Sequence, residues 1–195
     1  MDVDRRRTGT RGQDVNFANA LTAARLVAAP VIVWLVVSED LAAAFWLFVA
    51  AGVTDIADGY VAKHLSMSTN FGRYFDPAAD KILLVSMYVS LGVAGLISVW
   101  LVALVVARDV LLVVGALIMM AIDRASAPDP LLISKINTLA QIVLAATVLF
   151  AAAHGLGWTR FTDMFALAVG ATTVGSGVAY IAVVSRRVLA RENSR

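Results

Sequence analysis

Apolar residues run through the chain in six long stretches divided by short polar breaks, and this pattern predicts helices rather than strands. The stretches cover about 17–37, 41–62, 77–95, 98–122, 133–153 and 163–184. Each approaches or exceeds the roughly 20 apolar helical residues needed to cross a hydrocarbon core about 30 Å thick. The longest interior polar segment, His64 to Phe75, separates the second stretch from the third. The expected fold is all-α and integral to a membrane, a six-transmembrane-helix bundle. Residues 1–15 are expected to form a polar N-terminal tail, 16–185 the helical domain and 186–195 a basic C-terminal tail. The first stretch follows a basic flank as a signal peptide does, but it is long enough for an uncleaved span.

Composition supports a membrane setting. Of 195 residues 60% are hydrophobic and the mean hydropathy is +0.81, against roughly 45 to 50% apolar in an ordinary soluble domain. Six spans leave no room for a separate soluble domain among these residues. Cysteine is absent, which excludes disulfides, thiolate nucleophiles and thiolate metal sites. The net charge of +2 comes without a basic patch interleaved with aromatics, so nucleic acid is not an expected partner.

Charge placement orients the chain. With the N-terminus in the cytoplasm, alternate crossings put thirteen of the sixteen Lys and Arg on that side. Only Arg160 falls on the other side, while Arg25 and Arg108 lie within spans. The positive-inside rule therefore places both termini in the cytoplasm. The small size and lack of cysteine favour a bacterial cytoplasmic membrane, and Asp2, Asp4 and Asp14 argue against a transit peptide.

The chemistry-bearing segment reads Asp55-Ile-Ala-Asp58-Gly59-Tyr-Val-Ala62-Lys63, then eight residues, then Gly72-Arg-Tyr-Phe-Asp76-Pro-Ala-Ala-Asp80-Lys81. Asp55 and Asp58 are three apart and Asp76 and Asp80 four apart, so each pair shares a helix face. A short loop returning the second helix beside the first would bring four carboxylates to one membrane face. An aspartate at the centre of a span costs at least about 2.5 kcal/mol, and like charges repel, so compensation is required. Hard divalent cations provide it, because carboxylate oxygens suit Mg²⁺ or Mn²⁺ and such ions bridge carboxylates to phosphates. Two ions are expected for four carboxylates. Helix capping is the alternative reading: Asp76 before Pro77 makes a good N-cap pair, and Asp80 suits the positive end of a helix dipole. Capping does not account for Asp55 and Asp58, which fall near a helix C-terminus where the dipole disfavours them.

This segment resembles the signature of the CDP-alcohol phosphatidyltransferases, Asp-x-x-Asp-Gly-x-x-Ala-Arg followed by Gly-x-x-x-Asp-x-x-x-Asp. Every fixed position fits except Lys63, where the family usually has Arg; Lys keeps the charge without the bidentate fork. The resemblance implies that Asp55, Asp58 and Asp76 ligate the metal ions, and that Asp80 shares a metal and acts as general base. It also implies that Asp58, Gly59, Ala62, Lys63 and Gly72 accommodate the cytidine diphosphate. The implied reaction is attack of an acceptor hydroxyl on the phosphatidyl phosphorus of CDP-diacylglycerol, releasing CMP, in an enzyme that is usually a homodimer among membrane lipids.

Acceptor recognition falls to the remaining intramembrane polar residues. Asn19, Thr22 and Arg25 form a stripe with two readings, site lining and interhelical hydrogen bonding. Arg108 and Asp109 lie mid-span, where an internal ion pair and acceptor binding are both open. Lys135 stands at a cytoplasmic helix start, where a cation gains nothing from the dipole and a phosphate gains much, so phosphate contact is favoured. The run Ser134-Lys-Ile-Asn137-Thr138 and the step Arg108-Asp109-Val110 resemble the eukaryotic-type (CMP-forming) cardiolipin synthases, which use phosphatidylglycerol. Phosphatidylglycerophosphate synthases usually carry another Arg a little over two turns later, where this chain reads Val114-Gly-Ala116-Leu. A dianionic glycerol 3-phosphate acceptor wants more cations, so the lipid acceptor is expected and glycerol 3-phosphate is the alternative.

His64 and His154 are too separated for a metal pair, and no paired His-x-Lys motif of the phospholipase-D type occurs. Gly170, Gly175 and Gly177 with Ser176 suit close helix packing or a dimer interface. Trp34, Trp46, Trp100 and Trp158 fall near predicted span ends as interfacial anchors. A small transporter is the rival class, since intramembrane charges also mark pathways. The carboxylates instead gather at one face, and no pair of Gly/Pro-broken spans marks a midplane site.

Overall fold

The computed structural model describes residues 23–65, 72–122, 132–156 and 160–192, with side chains described outside 55–80, 118, 120–122 and 188–192. These residues form six helices, and no strand occurs among them: α1 (Ala23–Val37), α2 (Leu41–Leu65), α3 (Gly72–Val93), α4 (Val99–Ile122), α5 (Leu132–Ala153) and α6 (Arg160–Glu192). Three are long and apolar enough to cross a membrane, over Val99–Leu117, Leu132–Ala153 and Arg160–Arg187. Shorter apolar helical stretches run over Ala23–Val37, Leu41–Thr54 and Lys81–Val93. The molecule is thus a membrane-type, all-helical protein.

Three helices end in a tight turn of one kind. At the end of α1, Asp40 N–H donates to Leu35 O at 3.0 Å and Glu39 N–H to Val36 O at 3.2 Å. Leu96 and Gly95 repeat the pair onto Leu91 O and Gly92 O after α3, and Leu156 and Gly155 onto Ala151 O and Ala152 O after α5. This is the Schellman closure, which satisfies the last helical carbonyls and puts the C′ residue in the left-handed region. Gly95 (φ 71°) and Gly155 (φ 64°) adopt it without a Cβ penalty, whereas Glu39 adopts it at φ 61° with a side chain. Asp40 then caps α2, its Oδ1 accepting from Ala43 N–H at 3.2 Å.

Two helix ends differ from the sequence expectation. Helix α3 opens at Gly72, so Asp76 and Pro77 lie in its second turn and not at an N-cap. Pro77 lacks an N–H and forfeits one rung there. Helix α6 continues to Glu192, beyond the expected end of its apolar part, so Arg186, Arg187 and Arg191 stand on a helix. The motif itself is helical: α2 is continuous through 55–63 and α3 through 72–81.

The chain divides into two compact units, Met1–Ser90 and Leu91–Arg195. In the first, α1 buries Ala28, Ala29, Ile32 and Val36, α2 buries Ala44, Phe48 and Ala51, and α3 buries Leu83, Leu84, Met87 and Tyr88. Each set recurs every three or four residues, a single helical stripe. In the second unit α6 packs against both α4 and α5. Close approach depends on glycine. A Cβ on Gly170 would come within 2.8 Å of the Trp100 ring, and one on Gly115 within 2.4 Å of Tyr180 Cε1. A Cβ on Gly175 or Gly177 would make only ordinary contact with Ile133 or Leu111, so of the three α6 glycines expected to serve packing it is Gly170 whose lack of a side chain the packing requires. Trp34, Trp46 and Trp100 are exposed; Trp158 lies outside the described residues.

Candidate functional site

The four motif aspartates sit on two consecutive helices, Asp55 and Asp58 in the second half of α2 and Asp76 and Asp80 in the first half of α3. Helical backbone over both segments keeps each pair in single-face register. Their side chains, with those of Gly59, Ala62, Lys63 and Gly72, lie outside the described residues. Immediately before Asp55, Thr54 Oγ1 lies 2.9 Å from both Ala50 O and Ala51 O and donates to one at a time, a back-bond of the kind that bends helices. Among the residues with described side chains no group of three His, Asp or Glu is placed to hold a metal.

The candidate acceptor residues separate. Arg25 is buried, at 6% exposure, and begins the stripe that Ala28, Ala29, Ile32 and Val36 continue. Asn19 and Thr22 lie outside the described residues. Lys135 is exposed and makes no hydrogen bond or ion pair in the described structure. Arg108 and Asp109 are each 4% exposed and lie on the buried stripe of α4, which also holds Leu101 and Val105.

Arg108 is the centre of a network spanning three helices. Its Nη1 donates to Asp109 Oδ1 at 2.7 Å. Successive residues on a helix diverge by about 100°, so the guanidinium folds back across its neighbour to make this bond. Nη2 donates to Ser176 Oγ on α6 at 3.0 Å, with Nε at 3.4 Å from the same oxygen. Nη2 also reaches Ser134 Oγ, and Ser134 O at 3.3 Å, on α5. All three nitrogens are engaged, which is how a buried guanidinium offsets its desolvation.

A second network lies one to two turns along α5. Asn137 Oδ1 accepts from Thr172 Oγ1 at 2.8 Å and Thr173 Oγ1 at 3.0 Å, and Gln141 Nε2 donates to Thr173 Oγ1 at 3.3 Å. Both threonine hydroxyls also reach Val169 O; each has one hydrogen for two acceptors, so one bond of each pair forms at a time. The buried face of α5 is therefore polar over Asn137 and Gln141 and apolar over Leu144, Ala145, Val148 and Leu149. The polar half lies at the end that carries Lys135. At the α4–α6 crossing Tyr180 Oη donates to Leu112 O at 3.2 Å, its ring filling the space over Gly115.

Sequence reading anticipated the Arg108 and Asp109 pairing as one of two options, but not its serine partners or the Asn137 network. The available signal was periodic: Ser134, Asn137 and Gln141 on α5 and Thr173 and Ser176 on α6 are polar residues at helical spacing in apolar helices.

A helical membrane protein with an aspartate-rich motif across two helices and a buried cationic network is the class this structure defines. Residues 15–184 match the family model of the CDP-alcohol phosphatidyltransferases, and the chain belongs to that family. It is 33% identical over 192 residues to the chloroplastic CDP-diacylglycerol–glycerol-3-phosphate 3-phosphatidyltransferase 1 of Oryza sativa subsp. japonica, covering 89% of this chain and 58% of the rice protein. It is 32% identical over 178 residues to the cardiolipin synthase (CMP-forming) of Homo sapiens, covering 83% of this chain and 59% of the human protein. It is 35% identical over 147 residues to the CDP-diacylglycerol–glycerol-3-phosphate 3-phosphatidyltransferase of Rickettsia prowazekii (strain Madrid E), covering 74% and 80%. The chain thus spans less than two thirds of the rice and human relatives.

Proposed function

We propose that the chain is a metal-dependent phosphatidyltransferase that moves the phosphatidyl group of CDP-diacylglycerol to phosphatidylglycerol, giving cardiolipin and CMP. The observation that carries the reading is the motif, complete but for Lys63, on the two continuous helices α2 and α3. Its donor set, four carboxylates and no softer ligand, fits Mg²⁺ or Mn²⁺. Asp55, Asp58, Asp76 and Asp80 would hold one or two such ions, which when bound neutralise the diphosphate and the charge left on CMP.

The residues of the chain supply the rest. Asp58, Gly59, Ala62, Lys63 and Gly72 seat the cytidine diphosphate. Asp80 takes the proton from the acceptor hydroxyl as its oxygen bonds to the phosphatidyl phosphorus. The bond from that phosphorus to CMP breaks, and CMP leaves with the electron pair. Arg25, Arg108 and Lys135 are the cations this reading assigns to the acceptor's phosphate. Six spans with both termini cytoplasmic put this chemistry at the cytoplasmic face, supported by the distribution of Lys and Arg, in a homodimer.

The choice of a lipid acceptor is supported by α4. Beyond Arg108 the described part of this helix offers no second cation, and at Gly115 the space is filled by Tyr180. A dianionic phosphate would find few partners. The second reading is glycerol 3-phosphate as acceptor, favoured by the activity for which the rice and Rickettsia relatives are named. Supplying purified protein with CDP-diacylglycerol, Mg²⁺ and each acceptor in turn separates them. Cardiolipin from phosphatidylglycerol alone supports the first reading, and phosphatidylglycerophosphate from glycerol 3-phosphate replaces it with the second.

A further inference from the structure

We infer that the packed face between α5 and α6 holds one internal water molecule, bound by the side-chain amides of Asn137 and Gln141. Both residues are fully buried, at 0% exposure. The site is independent of the transferase reading. A bilayer offers no bulk solvent to a polar group, so a buried amide has to find its partners inside the protein. Asn137 finds them for one end only. Its Oδ1 accepts from Thr172 Oγ1 at 2.8 Å and from Thr173 Oγ1 at 3.0 Å. Its Nδ2 is buried and has no hydrogen-bond partner among the described residues. An orphaned buried donor loses its whole hydration, which costs more than a typical hydrogen bond returns.

Turning the amide over does not remove the orphan. Nδ2 would then donate to the two threonine oxygens, whose hydrogens have Val169 O within reach at 3.0 and 2.7 Å. The threonines are equally satisfied that way, but Oδ1 takes the place of Nδ2 and becomes a buried acceptor without a donor. A metal ion would serve only the acceptor and an anion only the donor. Water both donates and accepts, so it completes the amide in either orientation. Gln141 supplies the second anchor. It lies four residues along the same helix face, its Nε2 donates to Thr173 Oγ1 at 3.3 Å, and its Oε1 is buried. An amide oxygen has two lone pairs, so Oε1 accepts a hydrogen from the water that Asn137 holds. Two protein partners are enough for an internal water. The polar strip of Ser134, Asn137 and Gln141 leads inward from half-buried Ser134 at the start of α5. Beyond Gln141 the same face is closed by Leu144, Ala145, Val148 and Leu149. With the water in place both ends of the Asn137 amide are bonded, and α5 is held to Thr172 and Thr173 of α6 in one register.

The test is water-edited solid-state NMR on the full chain, uniformly ¹⁵N-labelled and reconstituted in lipid bilayers. At short mixing times, magnetisation from water protons is expected at Asn137 Nδ2 and not at the backbone N–H of Leu144, which lies deeper on the same buried face of α5. The Asn137 signal is identified by its loss in Asn137→Asp, which keeps the shape of the side chain. Gln141→Met removes the second anchor at similar volume and is expected to lose most of the transfer. Transfer to Nδ2 no greater than to Leu144 N–H, or transfer undiminished in Gln141→Met, overturns the inference. If either variant does not fold, a structure of the wild-type chain that shows ordered water decides. A water within about 3.2 Å of both the Asn137 amide and Gln141 Oε1 supports the site, and a lipid or detergent atom there, or closed packing with no water, overturns it.

Discussion

The crossing of α4 and α6 makes a quantitative prediction at Gly115. A Cβ there would stand 2.4 Å from Tyr180 Cε1, 3.0 Å from its Oη and 3.1 Å from its Cζ. Unstrained carbon–carbon contacts lie at about 3.5 to 4.0 Å, so in Gly115→Ala the ring must retreat by more than about 1 Å. That movement breaks the 3.2 Å bond from Tyr180 Oη to Leu112 O, worth about 1 kcal/mol, in addition to about 1 to 3 kcal/mol of overpacking strain. Gly115→Ala should therefore destabilise by about 3 kcal/mol, and Tyr180→Phe, which removes only the hydroxyl, by about 1 kcal/mol. In Tyr180→Ala the obstacle is gone, so adding Gly115→Ala should cost at least about 1 kcal/mol less than it does in the wild type. Equilibrium unfolding in mixed micelles of SDS and a mild detergent measures all four. Costs that add within about 0.5 kcal/mol would refute the packing argument.

Further predictions concern the turn, the ion pair and the metal. Glu39→Gly should raise stability by up to about 1 kcal/mol by relieving the left-handed backbone, seen as a higher unfolding midpoint; a lowered midpoint contradicts the Schellman assignment. Arg108→Met should cost about 3 kcal/mol, because it removes one charged partner of a buried carboxylate, and Arg108→Met with Asp109→Leu should recover much of it. A double variant as unstable as the single one would show that the pair is not the source. Chelation with EDTA should abolish CMP release and added Mg²⁺ or Mn²⁺ restore it; full activity in EDTA contradicts the role given to the aspartates.

The sequence made the helices legible because each is a long apolar run bounded by polar residues, and the described ends of α1, α2, α4 and α5 fall close to expectation. It misplaced the start of α3, since Gly72 to Pro77 is polar and contains a proline, both of which read as loop. It also stopped α6 early, because the helix continues beyond its apolar part through Arg186 and Arg187. The motif was legible for a different reason: spacings of three and four are helix-face spacings, and carboxylates in a span demand compensation. The serine partners of Arg108 were not legible. Ser134 and Ser176 lie 26 and 68 residues away in the chain, and nothing local in the sequence indicates which polar residues meet when helices pack. The same is true of Asn137 with Thr172 and Thr173, and of Tyr180 over Gly115.

The measurement closest to the central claim is CMP release from CDP-diacylglycerol by the purified chain in Mg²⁺, compared with Asp80→Asn in the same detergent. The transferase account predicts release that depends on an added alcohol acceptor and falls by about 10² to 10⁴-fold in the variant, the range expected for loss of a general base. Equal release by both proteins, or none with phosphatidylglycerol, glycerol 3-phosphate or any other alcohol, would contradict it.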